Sequence, residues 1–134
     1  MCHCNWCRKT SGHNGNTFIV IMDNAVSHSP LTTSQTQTRK PNIPPPQFKQ
    51  LSGTDSTFAR TADSGNPKKS YAFEKCSTIM WVRSEAKPHI RMIRTGTIDD
   101  QGMLDKLKPQ KELYCSFRPA SFAEYPGIAH EEKM

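Results

Sequence analysis

The sequence lacks any long apolar run: no segment approaches the roughly 18 consecutive apolar residues of a membrane-spanning helix. Its first residues, Met1 to Cys4, contain no apolar core of the kind found in secretory signal peptides. We therefore expect a soluble, cytoplasmic protein that does not contact membranes. Because the cytosol keeps thiols reduced, we expect its five cysteines to be metal ligands or free thiols rather than disulfides.

Apolar residues are also scarce, at 34% of the 134-residue chain. Globular proteins contain roughly 45–50% when glycine is counted as well. Ten prolines and seven glycines indicate many turns. This composition favours a small, loop-rich fold that is stabilised by bound metal over a fold with a large apolar core. The length is typical of a single domain spanning residues 1–134.

Dense basic runs are absent, although the chain carries a net charge of +6. The positive residues are scattered, which is typical of a solvated surface rather than a nucleic-acid-binding tail. We do not expect nucleic acid as a partner. A small anionic ligand is the remaining alternative for this charge.

The pattern of apolar and β-branched residues predicts a mainly β fold. Turn signals containing glycine, proline, aspartate and asparagine separate the predicted strands. The strands are predicted at 17–22, 48–51, 57–61, 71–73, 78–82, 90–95 and 113–117. One helical turn is predicted at 103–107. Residues 25–47 are rich in Ser, Thr and Gln and then in Pro, which indicates a disordered or non-native insert.

Cys2, Cys4 and Cys7 form a C-x-C-x2-C pattern, called here the cysteine cluster. Three thiolates at such short spacing suit a tetrahedral zinc ion and leave its fourth position open to water or substrate. The alternatives are free thiols, or a structural site closed by a fourth ligand. Candidates for that fourth ligand are Cys76, His3 and His13.

The remaining cysteines and histidines show no recognisable ligand spacing. Cys76 lies at a predicted tight turn between two strands, and Cys115 is expected to be a small buried strand residue. His28, His89 and His130 are interpreted as structural or surface residues. No general acid or base can be assigned, because the adjacent Asp99 and Asp100 are expected to cap a turn.

Four blocks follow one another along the chain: CHCNWCRKTSG at 2–12, RTADSGN at 60–66, AFEKCST at 72–78 and GTIDD at 96–100. In this order they resemble motifs of the fungal-type glutathione-dependent formaldehyde-activating enzyme (Gfa) family, which also includes centromere protein V. The resemblance implies the family's β-tent fold, in which folded antiparallel sheets surround zinc. It also implies a catalytic zinc on the cysteine cluster and a carbon–sulfur lyase activity that joins formaldehyde to glutathione as S-hydroxymethylglutathione. The expected substrate is a small thiol such as a glutathione adduct.

The chain departs from this family at a second, structural zinc site. That site uses an N-terminal Cys-x-Cys pair and the two cysteines of FCxxCGT. The pair is absent here, and Phe73 replaces the first cysteine of FCxxCGT, so Cys76 is the remnant of four ligands. We therefore expect an N-terminally truncated family member with about one zinc per chain.

The sequence leaves two questions open. The chain is either an active zinc lyase, a non-catalytic zinc-binding or interaction protein, or a degenerate family member without activity. Residues 25–40 match nothing in the family motifs. They are either a retained intron, since Val26-Ser27 is compatible with a GTGAGT splice donor, or an extended surface loop.

Overall fold

A computed structural model describes residues 1–22, Phe48 and 50–133. Its elements are mostly strands, which confirms the predicted mainly β fold. In chain order they are α1 (Asn5–Ser11), β1 (Phe18–Met22), β2 (Asp55–Thr61), β3 (Pro67–Phe73), β4 (Ile79–Ser84), β5 (Lys87–Arg94), α2 (Gln101–Leu104), β6 (Lys111–Leu113) and β7 (Ala129–Glu131), with 3-10 turns at Thr95–Thr97 and Cys115–Phe117.

Five strands form one antiparallel sheet in the order β1-β5-β4-β3-β2. Strands β2 to β5 are joined as successive hairpins, and β1 pairs with β5 at the edge. The turn between β2 and β3 contains Gly65 with φ +81°, a conformation that glycine adopts without steric cost.

The two faces of this sheet differ in what they contact. Side chains alternate across a strand, so Lys68, Ser70 and Ala72 of β3 share one face, and all three are buried. On the other face, Tyr71 stacks on its cross-strand partner Trp81 with ring centroids 5.1 Å apart. The first face lines the candidate site.

A second, small sheet holds the N-terminal segment. Strands β6 and β7 pair in parallel, and Cys2 bridges to Leu113 of β6 on one side and to Asn16 on the other. Gly15 allows this close approach: a Cβ built there would lie 2.7 Å from the Cys2 carbonyl oxygen. The first residues of the chain are therefore fixed on both sides.

Several predicted boundaries need correction. Residues 48–51 were predicted to form a strand, but Phe48, Gln50 and Leu51 are not in one. The strand predicted at 113–117 ends at Leu113, because Tyr114 adopts the left-handed region (φ +59°) and a 3-10 turn follows. The predicted insert at 25–47 lies outside the described residues.

The predicted helical turn at 103–107 is replaced by α2 at Gln101–Leu104. Asp99 and Asp100 were expected to cap the turn after Gly96, but the Asp100 carboxylate caps this helix by accepting the Met103 N–H at 3.0 Å. Neither described α-helix, of seven and four residues, has the length and apolar character that a membrane crossing needs.

Candidate metal centre

The three thiols of the cysteine cluster converge in the interior. Cys2, Cys4 and Cys7 are 2%, 6% and 4% exposed. Their Sγ atoms all lie within 4.8 Å of one another. Cys2 is fixed by its two β-bridges, whereas Cys4 and Cys7 are brought together by the start of α1. Residues three apart on a helix are neighbours, so a helix here closes the cluster.

Helix α1 was not predicted from the sequence. It begins where the Cys7 N–H donates to Cys4 Sγ at 3.5 Å, so Cys4 serves as its N-cap. It ends at Gly12, which takes the left-handed conformation common after a helix. Gly12 just after the basic pair Arg8 and Lys9 is a helix-end signal that could have revealed it.

The three thiols share protons because they hydrogen bond to one another. Hydrogen bonds with Cys2 and Cys7 lower the pKa of Cys4 to about 2. The hydrogen bond with Cys4 raises the pKa of Cys2 to about 11, and hydrogen bonds with Cys2 and Cys4 raise that of Cys7. Of the three thiols, Cys4 is therefore the one that ionises most readily. A bound metal would deprotonate all three.

The cluster fits a soft divalent ion such as zinc. Zn–S bonds of about 2.3 Å place tetrahedral sulfur ligands about 3.8 Å apart, which the observed spread accommodates. A cavity of about 20 Å³ adjoins the three sulfurs. That volume admits roughly one water-sized group.

Positive side chains surround this cavity. Lys68, which is 8% exposed, and half-buried Arg60 both line it. Burial lowers the pKa of Lys68, and the nearby Arg60 charge lowers it further, whereas the three cysteines act in the opposite direction. The guanidinium of Arg60 lies 3.8 Å from the Trp6 ring centroid, and that of Arg94 lies 5.3 Å from it. The field around the cluster therefore favours thiolates and other anions.

His3 was a candidate fourth ligand, but its ring nitrogens contact other groups. It lies between Cys2 and Cys4 in the sequence and is fully buried. Its Nδ1 lies 2.8 Å from the Asn14 carbonyl oxygen, and its Nε2 lies 3.0 Å from Oε1 of Glu112. Both ring nitrogens face hydrogen-bond acceptors, the Asn14 carbonyl oxygen and the Glu112 carboxylate. Both are committed to these two oxygens.

Glu112 connects His3 to a set of charged groups called here the buried ion-pair network. Glu112 is fully buried, and its Oε2 accepts from Arg118 at 3.0 Å. Burial alone would raise the pKa of Glu112. The His3 hydrogen bond and the charges of His3, Arg118 and His130 outweigh it and hold this pKa below its usual range. The network also includes Glu124, which accepts from Arg118 at 2.9 Å.

Sequence reasoning missed this network and placed His130 among structural or surface residues. Its ring lies 3.4 Å from Glu112 Oε2 and 3.5 Å from Glu124 Oε2. The ligand atoms of Glu112, Cys115 and His130 lie within 4.8 Å of one another, as in a metal site. Because the Arg118 guanidinium already binds Glu112 Oε2, a metal cation there would meet positive charge. We interpret the group as an ion-pair network.

The other sequence-predicted residues lie apart from the cysteine cluster. Cys76 is exposed in the turn after β3, where its Sγ hydrogen bonds to Thr78 Oγ1 at 3.3 Å. That hydrogen bond lowers the pKa of Cys76. His13 packs edge-on against Phe122, with centroids 5.7 Å apart. Cys115, expected in a buried strand, is half-buried on a 3-10 turn.

Comparison with known families identifies one match. A family model described as "Glutathione-dependent formaldehyde-activating enzyme" matches residues 31–117. The match starts at residue 31, within the segment 25–47 that was interpreted as an insert. It therefore does not include the cysteine cluster. No curated protein matches the chain. Assignment of the cluster as ligands therefore depends on the geometry above.

Proposed function

The chain belongs to the glutathione-dependent formaldehyde-activating enzyme family, and we propose that it joins glutathione to formaldehyde as a zinc-dependent carbon–sulfur lyase. In this reaction the thiol sulfur adds to the carbonyl carbon, so a C–S bond forms. The carbonyl π bond breaks, and its oxygen takes up a proton. The product is S-hydroxymethylglutathione, and the reverse reaction cleaves the same C–S bond.

The observation that carries this proposal is the buried cysteine cluster beside a small cavity. Cys2, Cys4 and Cys7 would hold one zinc ion per chain through three thiolates. When bound, zinc supplies a Lewis acid that favours the thiolate form of an incoming thiol. Cys76 has no part in this proposal, because it is exposed and belongs to neither candidate ligand group of the described residues.

The surrounding residues contribute charge and exclusion of water. Lys68 and Arg94 are buried cations, and the negative charge of the cysteines acts on the pKa of each. An added thiolate would therefore enter a positive environment of low dielectric, where electrostatic stabilisation is stronger than in water. Burial of Lys68 and of the three cysteines limits the access of water to the cavity.

A rate measurement tests the proposal. Purified zinc-loaded protein is mixed with glutathione and ¹³C-formaldehyde, and the exchange rate of the adduct is measured by NMR against the uncatalysed rate. The proposal predicts a faster rate that requires zinc and falls to background in Cys4→Ser. A zinc-loaded wild type that gives only the uncatalysed rate would support a non-catalytic zinc-binding protein instead.

A further inference from the structure

Arg60 and Lys68 lie directly opposite each other on β2 and β3. Directly opposed residues in an antiparallel pair point to the same face, and both of these line the cavity beside the cysteine cluster. Like charges in this position destabilise a sheet. The arrangement is favourable only when negative charge lies nearby.

The cysteine cluster provides part of that negative charge, but the guanidinium of Arg60 contacts other groups. It lies over the Trp6 ring at 3.8 Å, and its one hydrogen bond between described residues runs from NH1 to the Thr61 carbonyl oxygen at 3.4 Å. Its Nε is buried and has no acceptor within the described part of the chain. Among residues 1–22, 48 and 50–133, no carboxylate forms an ion pair with it.

Arg94 differs from Arg60 in its terminal nitrogens, although its Nε also has no acceptor within the described residues. Its guanidinium also lies near Trp6, but it donates to Thr10 through both terminal nitrogens, at 2.7 Å to Oγ1 and 3.4 Å to the carbonyl oxygen. Arg94 therefore fixes α1 against β5. Arg60 lines the cavity and lies against the indole face, and within the described residues its guanidinium donates only the NH1 bond to Thr61.

The cavity opens to solvent. A thiol whose sulfur reaches the cysteine cluster therefore extends outward past the other lining residues. Its outer part would rest at the cavity edge, where Arg60 is half-buried and Asp63 is exposed.

We propose that Arg60 binds a carboxylate of the thiol substrate and so selects thiols that carry one. This inference rests on the proposed function, since it concerns the same cavity. A planar guanidinium pairs with a carboxylate through two parallel hydrogen bonds, and partial burial strengthens such a pair. The substrate class is therefore a carboxylate-bearing thiol whose sulfur enters the cavity while its carboxylate remains at the edge over Trp6.

Calorimetric titration of zinc-loaded protein tests this. The two ligands are glutathione and glutathione diethyl ester, whose carboxylates are masked. We expect wild type to bind glutathione at least roughly tenfold more tightly than the ester. Arg60→Met should reduce this preference to near unity by weakening glutathione binding alone. Arg60→Lys, which keeps the charge but not the planar fork, should retain part of it.

Lys69→Met is the matched control. Lys69 neighbours Lys68 on β3 but points to the opposite face, where it lies 5.7 Å from the Tyr71 ring centroid. Lys69→Met removes the same unit of positive charge and should leave the preference for glutathione over its diethyl ester unchanged. If Arg60→Met keeps the tenfold preference, or if wild type binds both ligands equally, the assignment of Arg60 is wrong and the proposed function stands. If zinc-loaded wild type binds neither ligand, the proposed function fails as well.

Discussion

His3 and Glu112 are separated by 109 residues in the sequence and form a fully buried hydrogen bond, with 3.0 Å between Nε2 and Oε1. His3 lies between Cys2 and Cys4, so this bond fixes the segment that carries two of the proposed ligands. Hydrogen bonds that hold the residues around metal ligands also hold the ligands in position. The buried ion-pair network thus ties the ligand segment to the C-terminal part of the chain.

Glu112→Gln tests the contribution of this network to stability. The substitution keeps the size of the side chain but leaves His3 and Arg118 without their shared counter-charge. Removing one partner of a buried pair costs about 3–5 kcal/mol of unfolding free energy. Urea denaturation of zinc-loaded wild type and Glu112→Gln measures this loss of unfolding free energy.

Glu131→Gln is the control for that experiment. Glu131 pairs with Lys111 at 2.6 Å, but their side chains are 42% and 51% exposed. An exposed pair contributes about 0–1 kcal/mol. Equal, small losses in both variants would contradict the structural role assigned to Glu112.

The same carboxylate predicts a pH dependence. Despite the opposing effect of burial, His3, Arg118 and His130 hold the pKa of Glu112 below its usual range. A carboxyl whose pKa is lower in the folded state stabilises the protein fully above its unfolded pKa of roughly 4.3. This stabilisation is lost as the pH falls through the folded-state pKa.

The difference in unfolding free energy between wild type and Glu112→Gln should therefore be constant above about pH 5 and shrink as the pH falls below about 4.3. Wild type and Glu112→Gln are compared at the same pH and the same zinc content. The effect of zinc loss at low pH therefore cancels in the difference between their unfolding free energies. Denaturation at several pH values, with zinc content recorded at each, provides the measurement. A difference that does not change with pH would mean that Glu112 does not act through its charge.

Gly15→Ala should disrupt the ligand segment. A Cβ at Gly15 would lie 2.7 Å from the Cys2 carbonyl oxygen and 3.1 Å from His3 Nδ1. Relieving this overlap must shift Cys2 or His3, at a cost of about 1–3 kcal/mol. We expect weaker zinc binding in competition with a chromophoric chelator, together with lower stability.

Gly96→Ala is the matched substitution, since a Cβ there meets nothing within 4 Å. Its stability should remain within about 0.5 kcal/mol of wild type, with unchanged zinc affinity. If Gly15→Ala behaves in the same way, the close packing around Cys2 does not position the ligands.

The large sheet was readable from the sequence because its strands are local patterns. Ile19 to Ile21 in β1 and Ile79 to Val82 in β4 are apolar, β-prone runs, and each lies in a strand of the structure. The short spacing of Cys2, Cys4 and Cys7 was readable for the same reason, but helix α1 and the β-bridges of Cys2 are what bring the three thiols together.

What the sequence did not reveal depends on distant contacts. Helix α1 has seven residues, too short to be stable alone, and it exists because its buried Cys7 packs inside the cluster. Strand β7 has three residues without apolar alternation and pairs with β6 across an intervening turn region. The Glu112–His3 contact joins residues at opposite ends of the chain, and no spacing rule connects them.

Metal content of the folded protein tests the central claim most directly. Elemental analysis of wild type should give about one zinc per chain. Cys4→Ser should lose most of it, and Cys76→Ser and Cys115→Ser should retain it. Well-folded wild type without zinc, or a Cys4→Ser variant that keeps its zinc while Cys76→Ser or Cys115→Ser loses it, would contradict the assignment of Cys2, Cys4 and Cys7 as the metal site.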